Sequence, residues 1–261
     1  MAADPNLTTS GGSLHARPEF KFREAFARHW RDSVRHYGLL QTLKQETEAL
    51  YRLLREFLPN RRKIKYGDLD YDWDHMVDTT RANVAFRTQL AAALTGHQYF
   101  PTEPWLFEQI MQSLPINFGQ FTFLDIGSGK GRTLLMAAPY GFRRVLGVEY
   151  IPELHRIAQE NIRKFVREQH IAADIQSVCL DARDFEFPLE PLVLYLFNPF
   201  PEPAFVAVVK KLWRSVENSP RPVFLAYRYP EFETLLKNCE WMEKVAGTEQ
   251  WAVYRNRQDR A

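Results

Sequence analysis

FLDIGSGKGRT, residues Phe123–Thr133, is the stretch that decides the fold of this chain. Its first residues are mainly apolar and predict a buried strand, and a helical pattern begins after its last glycine. The three glycines between them stand at alternate positions, where the absence of Cβ atoms lets the backbone turn sharply and approach a ligand. The stretch therefore predicts a strand, a ligand-binding turn and a helix.

The glycine spacing differs from two common nucleotide motifs. Gly127, Gly129 and Gly131 give G-x-G-x-G, whereas the nicotinamide fingerprint is G-x-G-x-x-G. A phosphate-binding loop requires Ser or Thr after its lysine, but Lys130 is followed by Gly131. Both differences disfavour a dehydrogenase or a phosphate-loop enzyme.

The next predicted strand, Arg144–Glu149, ends in an acid 24 residues after Asp125. An acid at the end of the second strand is placed to accept hydrogen bonds from the ribose hydroxyls of a nucleoside. Tyr150 follows it, where an aromatic side chain can lie on a purine face. Together with the glycine turn, Glu149 predicts a nucleoside site.

Short β-rich runs alternate with helical stretches after residue 121, which is typical of repeated βα units and a parallel sheet. The predicted strands are Thr122–Ile126, Arg144–Glu149, Ile175–Leu180, Leu192–Phe197, Val223–Tyr227, Trp241–Val245 and Gln250–Tyr254. The last two are too close together for a parallel crossover and predict a hairpin. We therefore expect a seven-stranded α/β sheet that is parallel except at one strand.

The N-terminal part has a different character. Residues 1–18 predict a disordered tail, and apolar residues at helical spacing from 19 to 58 predict a helix that Gly38 divides. The acidic and aromatic segment Tyr66–His75 fits neither a helix nor a strand and is interpreted as a loop. We expect three regions: the tail, a helical extension at 19–114 and a ligand-binding domain at 115–261.

The motifs from about Tyr99 to Tyr254 resemble the class I, Rossmann-like, S-adenosylmethionine-dependent methyltransferases. The resemblance implies that the cofactor is S-adenosylmethionine, that Asp125 supports its methionine end and that Glu149 holds its ribose. It also implies that Asp181 and the Ala182 backbone meet the adenine, although a solvated loop acid is an alternative for Asp181. The implied cofactor-binding residues are Tyr99, Thr102, Asp125, Gly127, Ser128, Gly129, Gly131, Glu149, Tyr150, Asp181, Ala182 and Asn198.

Two short motifs carry further expectations. Tyr99-Phe100-Pro101-Thr102 is similar to a stretch that closes over the cofactor in some members, while Thr102 is also interpreted as the N-cap of a helix at Glu103–Leu114. Asn198-Pro199-Phe200 resembles the Asp/Asn-Pro-Pro-Tyr/Phe motif of amino methyltransferases but lacks its second proline. The resemblance makes Asn198 and Phe200 the catalytic residues, with a plain Asn-Pro turn as the alternative.

Composition and charge exclude several classes of protein. The chain has 34 basic and 32 acidic residues, a formal charge of +2, so charge does not indicate a nucleic-acid partner. Two isolated cysteines and seven histidines without ligand spacing predict neither a metal site nor a disulfide framework, and they favour the cytoplasm. No apolar run approaches the roughly 18 residues of a membrane span, and the N-terminus lacks the apolar core of a signal peptide.

These observations predict an S-adenosylmethionine-dependent methyltransferase that acts on a nitrogen atom of a small molecule or protein side chain. Two alternatives stay open: O-methylation of a small molecule, and a noncatalytic scaffold that keeps the cofactor fold. The N-terminal helices either form a lid over the cofactor, pack on the sheet or mediate a homodimer.

Overall fold

A computed structural model describes residues 22–56, 69–80, 100–170, 173–198 and 200–257 of the protein. The helices in these ranges are α1 (Phe22–Tyr37), α2 (Leu39–Glu56), α3 (Leu69–Asp74), α4 (Pro104–Gln112), α5 (Arg132–Ala137), α6 (Pro152–Gln169), α7 (Glu202–Asn218) and α8 (Glu233–Lys237). The strands are β1 (Thr122–Ile126), β2 (Arg144–Glu149), β3 (Ile175–Cys179), β4 (Leu192–Phe197), β5 (Val223–Arg228), β6 (Met242–Gly247) and β7 (Trp251–Asn256).

The seven strands form one sheet in the order β3-β2-β1-β4-β5-β7-β6. Strands β3, β2, β1, β4 and β5 pair in parallel, and β7 pairs antiparallel with both β5 and β6. The predicted sheet, its final hairpin and its single antiparallel strand are thus confirmed. Because β1 lies between β2 and β4, the carboxyl ends of these three strands meet at one edge.

Alternating side chains of the strands bury two apolar clusters, one on each face of the sheet. Phe123 of β1 belongs to the cluster that helix α4 covers, and the Phe107 ring of α4 lies 5.8 Å from the ring of Phe123. Leu124, the next residue, belongs to the opposite cluster, together with Phe205 of α7. Helix α4 is therefore packed directly on the sheet.

Helices α1 and α2 are separated at Gly38, as the sequence predicts. Gly38 has a φ of +81°, a left-handed conformation that ends α1 and that glycine adopts without strain. No helix in the described ranges is long and apolar enough to cross a membrane. The predicted tail at residues 1–18 lies outside those ranges.

The interpretation of Tyr66–His75 as a loop is wrong for its larger part, since Leu69–Asp74 forms helix α3. The Asp72 carboxylate accepts hydrogen bonds from the backbone N–H groups of Thr79, at 2.9 Å, and Thr80, at 2.6 Å. These contacts hold the chain that follows the helix. A local pattern of acidic and aromatic residues does not show such contacts, which is why the prediction failed. Residues 66–68 lie outside the described ranges.

Candidate active site

The glycine-rich turn lies between the end of β1 and the start of α5. Gly127, Gly129 and Gly131 all have positive φ angles, of +83°, +54° and +84°. A Cβ on Gly131 would lie 3.2 Å from the Cβ of Ala158, so this position also lets α6 pack closely against the turn. Gly127 and Gly129 line an open cleft at the carboxyl edge of the sheet.

Glu149, at the end of β2, is buried and faces this cleft. Its two carboxylate oxygens accept the backbone N–H groups of Gly129 and Ile151, both at 2.7 Å. Burial raises the pKa of Glu149 to about 7, although the backbone donors act to lower it. Each oxygen keeps a lone pair for a further donor such as a ribose hydroxyl.

Asp125 lies in β1, two residues before the first glycine, and is buried. The Thr133 hydroxyl of α5 donates a hydrogen bond to it, which fixes the carboxylate beneath the turn. Burial raises its pKa to about 7; the hydrogen bond from Thr133 opposes this rise, and the nearby charge of Glu149 adds to it. Asp125 therefore supports the turn from inside the protein.

Two other predicted residues face inward. The Ser128 Oγ is buried without a hydrogen-bond partner among the described residues and packs onto β2, where a Cβ on Gly147 would lie 2.7 Å from it. The Thr102 hydroxyl lies 2.8 Å from the Tyr195 hydroxyl, in the core. The prediction that Thr102 caps the helix is wrong, because Glu103 occupies the N-cap position and the cap has no side-chain hydrogen bond.

The cleft holds about 970 Å³ of space not filled by atoms, including the part open to solvent. Pockets for ligands of drug size span roughly 300–1,000 Å³. Of the residues predicted to bind the cofactor, six line this cleft: Gly127, Gly129, Glu149, Tyr150, Asp181 and Ala182. The glycine cradle, the acid at the β2 end and the size of the cleft thus fit a nucleoside cofactor.

Asp181 does not have the environment of a solvated acid. Its carboxylate accepts hydrogen bonds from Arg183, at 2.7 Å, and from Arg28 of α1, at 2.9 Å. Burial acts to raise the pKa of Asp181, but the two arginines outweigh it and lower the pKa to about 2. The group is therefore ionised and engaged at the wall of the cleft.

The proposed acceptor residues lie at the end of β4. Asn198 has a φ of +38°, and its Oδ1 is buried without a hydrogen-bond partner among the described residues. The neighbouring side chains of Phe197 and Phe200 line the cleft. Two residues of the predicted motifs, Tyr99 and Pro199, lie outside the described ranges.

Sequence reasoning missed the basic residues within the glycine turn itself. The Lys130 side chain is fully buried, with its Nζ 2.8 Å from Asp78. Arg132 is also buried and donates to Thr79 at 2.7 Å, and its guanidinium covers the Tyr71 ring at 4.7 Å. Both cations hold the segment after α3. Asp72, from the acidic segment, lies 3.4 Å from Arg132.

Helix α1 supplies further cleft residues that carried no signal in the sequence. His29, Asp32 and Ser33 line the cleft. They belong to an amphipathic helix whose ion pairs with Asp181 and Arg183 join residues more than 150 positions apart in the chain. Helical periodicity alone gives no indication of such partners.

Comparison with known proteins agrees with this geometry. Residues 123–219 match the model of a family described as a methyltransferase domain. No curated protein matches the chain. Among solved structures, the 23S rRNA methyltransferase ErmE is 16% identical, with a TM-score of 0.44 and coverage of 62% of this chain and 70% of that one.

Two further structures are similar at a comparable level. A precorrin-6y C5,15-methyltransferase from Geobacter metallireducens is 13% identical, with a TM-score of 0.42 and coverage of 61% of this chain and 90% of that one. An RNA methyltransferase from Salinibacter ruber in complex with S-adenosyl-L-homocysteine is 19% identical, with a TM-score of 0.36 and coverage of 59% and 91%. Similarity at this level does not indicate an acceptor. Residues 123–219 thus match a methyltransferase domain, and the sheet order and the glycine turn agree with the Rossmann-like fold that the sequence predicts.

Proposed function

We propose that the protein transfers the methyl group of S-adenosylmethionine to a nitrogen atom, on a small-molecule amine or a protein side chain. The observation that carries this proposal is the buried Oδ1 of Asn198, which has no partner among the described residues. Leaving such a group unpaired costs about 1–3 kcal/mol. An acceptor N–H group provides the missing donor, and the hydrogen bond aims the nitrogen lone pair into the cleft.

The same proposal assigns a role in cofactor binding to the residues that line the cleft at the ends of β1, β2 and β3. Glu149 accepts from the ribose hydroxyls, and Gly127 and Gly129 let the backbone pass beneath the cofactor. Tyr150 and the Ala182 backbone lie against the adenine. Support comes from the arrangement of these residues around one cleft. Ser128, Gly131 and Asp125 shape the turn from behind.

S-adenosylmethionine supplies a methyl group on a sulfonium, which is already a good leaving group. The chain therefore has to align the acceptor and exclude water. Asn198 orients the nitrogen atom, and Phe200, buried at the wall of the cleft, limits the position of the acceptor. We also propose that residues 19–114 form a helical extension over a domain at 115–261.

A panel of amines tests the proposal, each paired with the alcohol of the same carbon skeleton. The protein and S-adenosylmethionine are incubated with each compound, and the products are identified by mass spectrometry. The expected result is methylated amine and S-adenosylhomocysteine in equal amounts, with the alcohols unchanged and the Asn198→Ala variant much slower. Methylation of the alcohols alone would contradict nitrogen as the target atom but leave cofactor use intact.

A further inference from the structure

Helix α1 lies outside the matched methyltransferase domain, yet one of its faces forms a wall of the cofactor cleft. His29 and Ser33 are four positions apart, so they lie on the same side of the helix, and both line the cleft. Ser33 is 2% exposed. A bound nucleoside would therefore meet α1 as well as the sheet edge.

Asp181, the residue that the family resemblance assigns to the adenine amino group, is already fully engaged. Its Oδ1 accepts the backbone N–H and the Nε of Arg183, at 2.9 and 3.0 Å. Its Oδ2 accepts Nη2 of Arg183 and Nη1 of Arg28, at 2.7 and 2.9 Å. A carboxylate has about four lone-pair positions. Asp181 thus anchors α1 and has little capacity left for a ligand.

Helix α1 makes two kinds of ion pair with the segment that follows β3. In one the helix supplies the cation, and in the other it supplies the anion. Arg28 of α1 reaches Asp184 at 3.0 Å as well as Asp181, and Asp32 of α1 pairs with Arg183. Because a cation and an anion one turn apart on the helix each find the opposite charge, sliding or rotating the helix would break both contacts. The pairs set the position of α1 along its axis.

His29 is held by a second carboxylate, from helix α2. Its Nε2 lies 2.7 Å from Glu46 Oε1, and the two side chains are only 12% and 14% exposed. Since an ionised carboxylate only accepts, a neutral His29 ring in this contact carries its proton on Nε2 and its lone pair on Nδ1. Among the described residues Nδ1 has no hydrogen-bond partner. His29 lines the cleft, so a ligand bound there is within reach of this ring.

We infer that His29 is a nucleoside-binding residue of the cofactor site: its Nδ1 accepts a hydrogen bond from a hydroxyl or amino group of the adenosine. Glu46 orients the ring, and the ion pairs of Arg28 and Asp32 position the helix that carries it. This inference rests on the proposed function, because it takes the ligand to be S-adenosylmethionine.

The first test compares two histidines of the same helix. His36 also pairs with a glutamate, Glu202 at 3.3 Å, but it does not line the cleft. His29→Ala should weaken binding of S-adenosylmethionine and of 5′-methylthioadenosine, which lacks the amino acid portion, by the same factor of about tenfold, the value of one hydrogen bond. His36→Ala should change neither affinity by more than about twofold.

The second test addresses the positioning role. The double variant Arg28→Gln/Asp32→Asn should release S-adenosylhomocysteine about tenfold faster at low salt, as expected for the loss of the three partly exposed ion pairs that Arg28 and Asp32 make. Since salt screens such pairs, added salt should accelerate release from the unmodified protein but much less from the variant. Arg144→Gln, which removes a comparable ion pair with Glu190 at the opposite edge of the sheet, is the control and should not affect release.

The outcomes separate the inference from the proposed function. If the unmodified protein fails to bind S-adenosylmethionine, the proposed function itself is wrong. If it binds the cofactor and His29→Ala binds both ligands as tightly as His36→Ala does, the role of His29 is refuted. Equal release rates for the double variant and Arg144→Gln would refute the positioning role of α1.

Discussion

Two regions at the carboxyl edge of the sheet differ in how completely their polar groups are satisfied. At the ends of β1 and β2, Glu149 accepts two backbone N–H groups and Asp125 accepts the Thr133 hydroxyl. At the end of β4, Asn198 has a left-handed backbone and a buried Oδ1 with no partner in the described ranges. On our proposal the first region is the cofactor half of the site and is built in advance, whereas the second is the acceptor half and is completed by its substrate.

The largest loss of affinity is expected from a substitution that fills space in the cofactor half. Gly129→Val places a branched side chain at a φ of +54°, beside the N–H group that Glu149 accepts. We expect at least a 100-fold loss of affinity for S-adenosylmethionine, equivalent to about 2.7 kcal/mol. Calorimetric titration measures it.

Gly141→Val is the matched control for this variant. Gly141 also has a positive φ, of +73°, but a Cβ there meets nothing within 4 Å, and the residue does not line the cleft. The control should lose some stability through backbone strain and keep its affinity for the cofactor. Unchanged affinity in Gly129→Val would refute our placement of the cofactor.

The next largest effect should appear in the acceptor half. Asn198→Ala removes the oxygen that we propose orients the acceptor, and we expect kcat to fall about 100-fold, as for the loss of one preorganised polar group in other enzymes. Affinity for the cofactor should change by less than about threefold. Single-turnover kinetics and calorimetry measure the two quantities. Equal losses of kcat and of cofactor affinity would contradict the assignment of Asn198 to the acceptor half.

A smaller effect should follow from the pH. Because the pKa of Glu149 is raised to about 7, the carboxyl is mostly protonated at pH 6 and must lose its proton to accept both ribose hydroxyls. Affinity for S-adenosylmethionine should therefore rise about tenfold from pH 6 to pH 8. Glu149→Gln should bind more weakly at pH 8 and show a much flatter profile, while Asp125, whose pKa is also about 7, remains in both proteins.

The raised pKa of Glu149 has a second consequence: whereas cofactor affinity should rise with pH, the stability of the ligand-free protein should fall. The folded protein holds protons on Glu149 that the unfolded chain has already released above its ordinary pKa of 4.5. The free energy of unfolding of the ligand-free protein should consequently fall as the pH rises from about 4.5 through 7. Thermal unfolding of Glu149→Gln should show a weaker fall across this window, and an identical fall in both proteins would contradict the raised pKa.

The smallest effect is expected at the wall of the acceptor half. Phe200 is 7% exposed and lines the cleft, so Phe200→Leu removes part of an aromatic surface but keeps an apolar one. We expect kcat/KM for the acceptor to fall about fivefold, within the range of aromatic contacts. Cofactor affinity should stay unchanged. A loss of cofactor affinity larger than the loss of kcat/KM would contradict the assignment of Phe200 to the acceptor half.

The prebuilt half was also the predictable one. Its glycines and Glu149 stand within one βαβ unit, where local turn chemistry and strand alternation determine the structure. The predicted strands agree with the observed ones, and β1, β2 and β4 have the predicted bounds. The break at Gly38 was predictable for the same reason, because glycine at the end of a helix is a local signal.

The remaining contacts depend on residues that are distant in the sequence. Lys130 and Asp78 are 52 positions apart, and Arg183 and Asp32 are 151 apart. Spacing and composition carry no information on which acid meets which base in three dimensions. For this reason the sequence did not predict that Asp72 closes helix α3 or that α1 forms a wall of the cleft.

Calorimetric titration of the unmodified protein with S-adenosylmethionine, and separately with NAD and ATP, tests the central claim most directly. We expect micromolar affinity for S-adenosylmethionine and no binding of the other two nucleotides. Binding of NAD or ATP instead, or of none of the three, would contradict the assignment of the cleft between Gly129 and Glu149 to this cofactor.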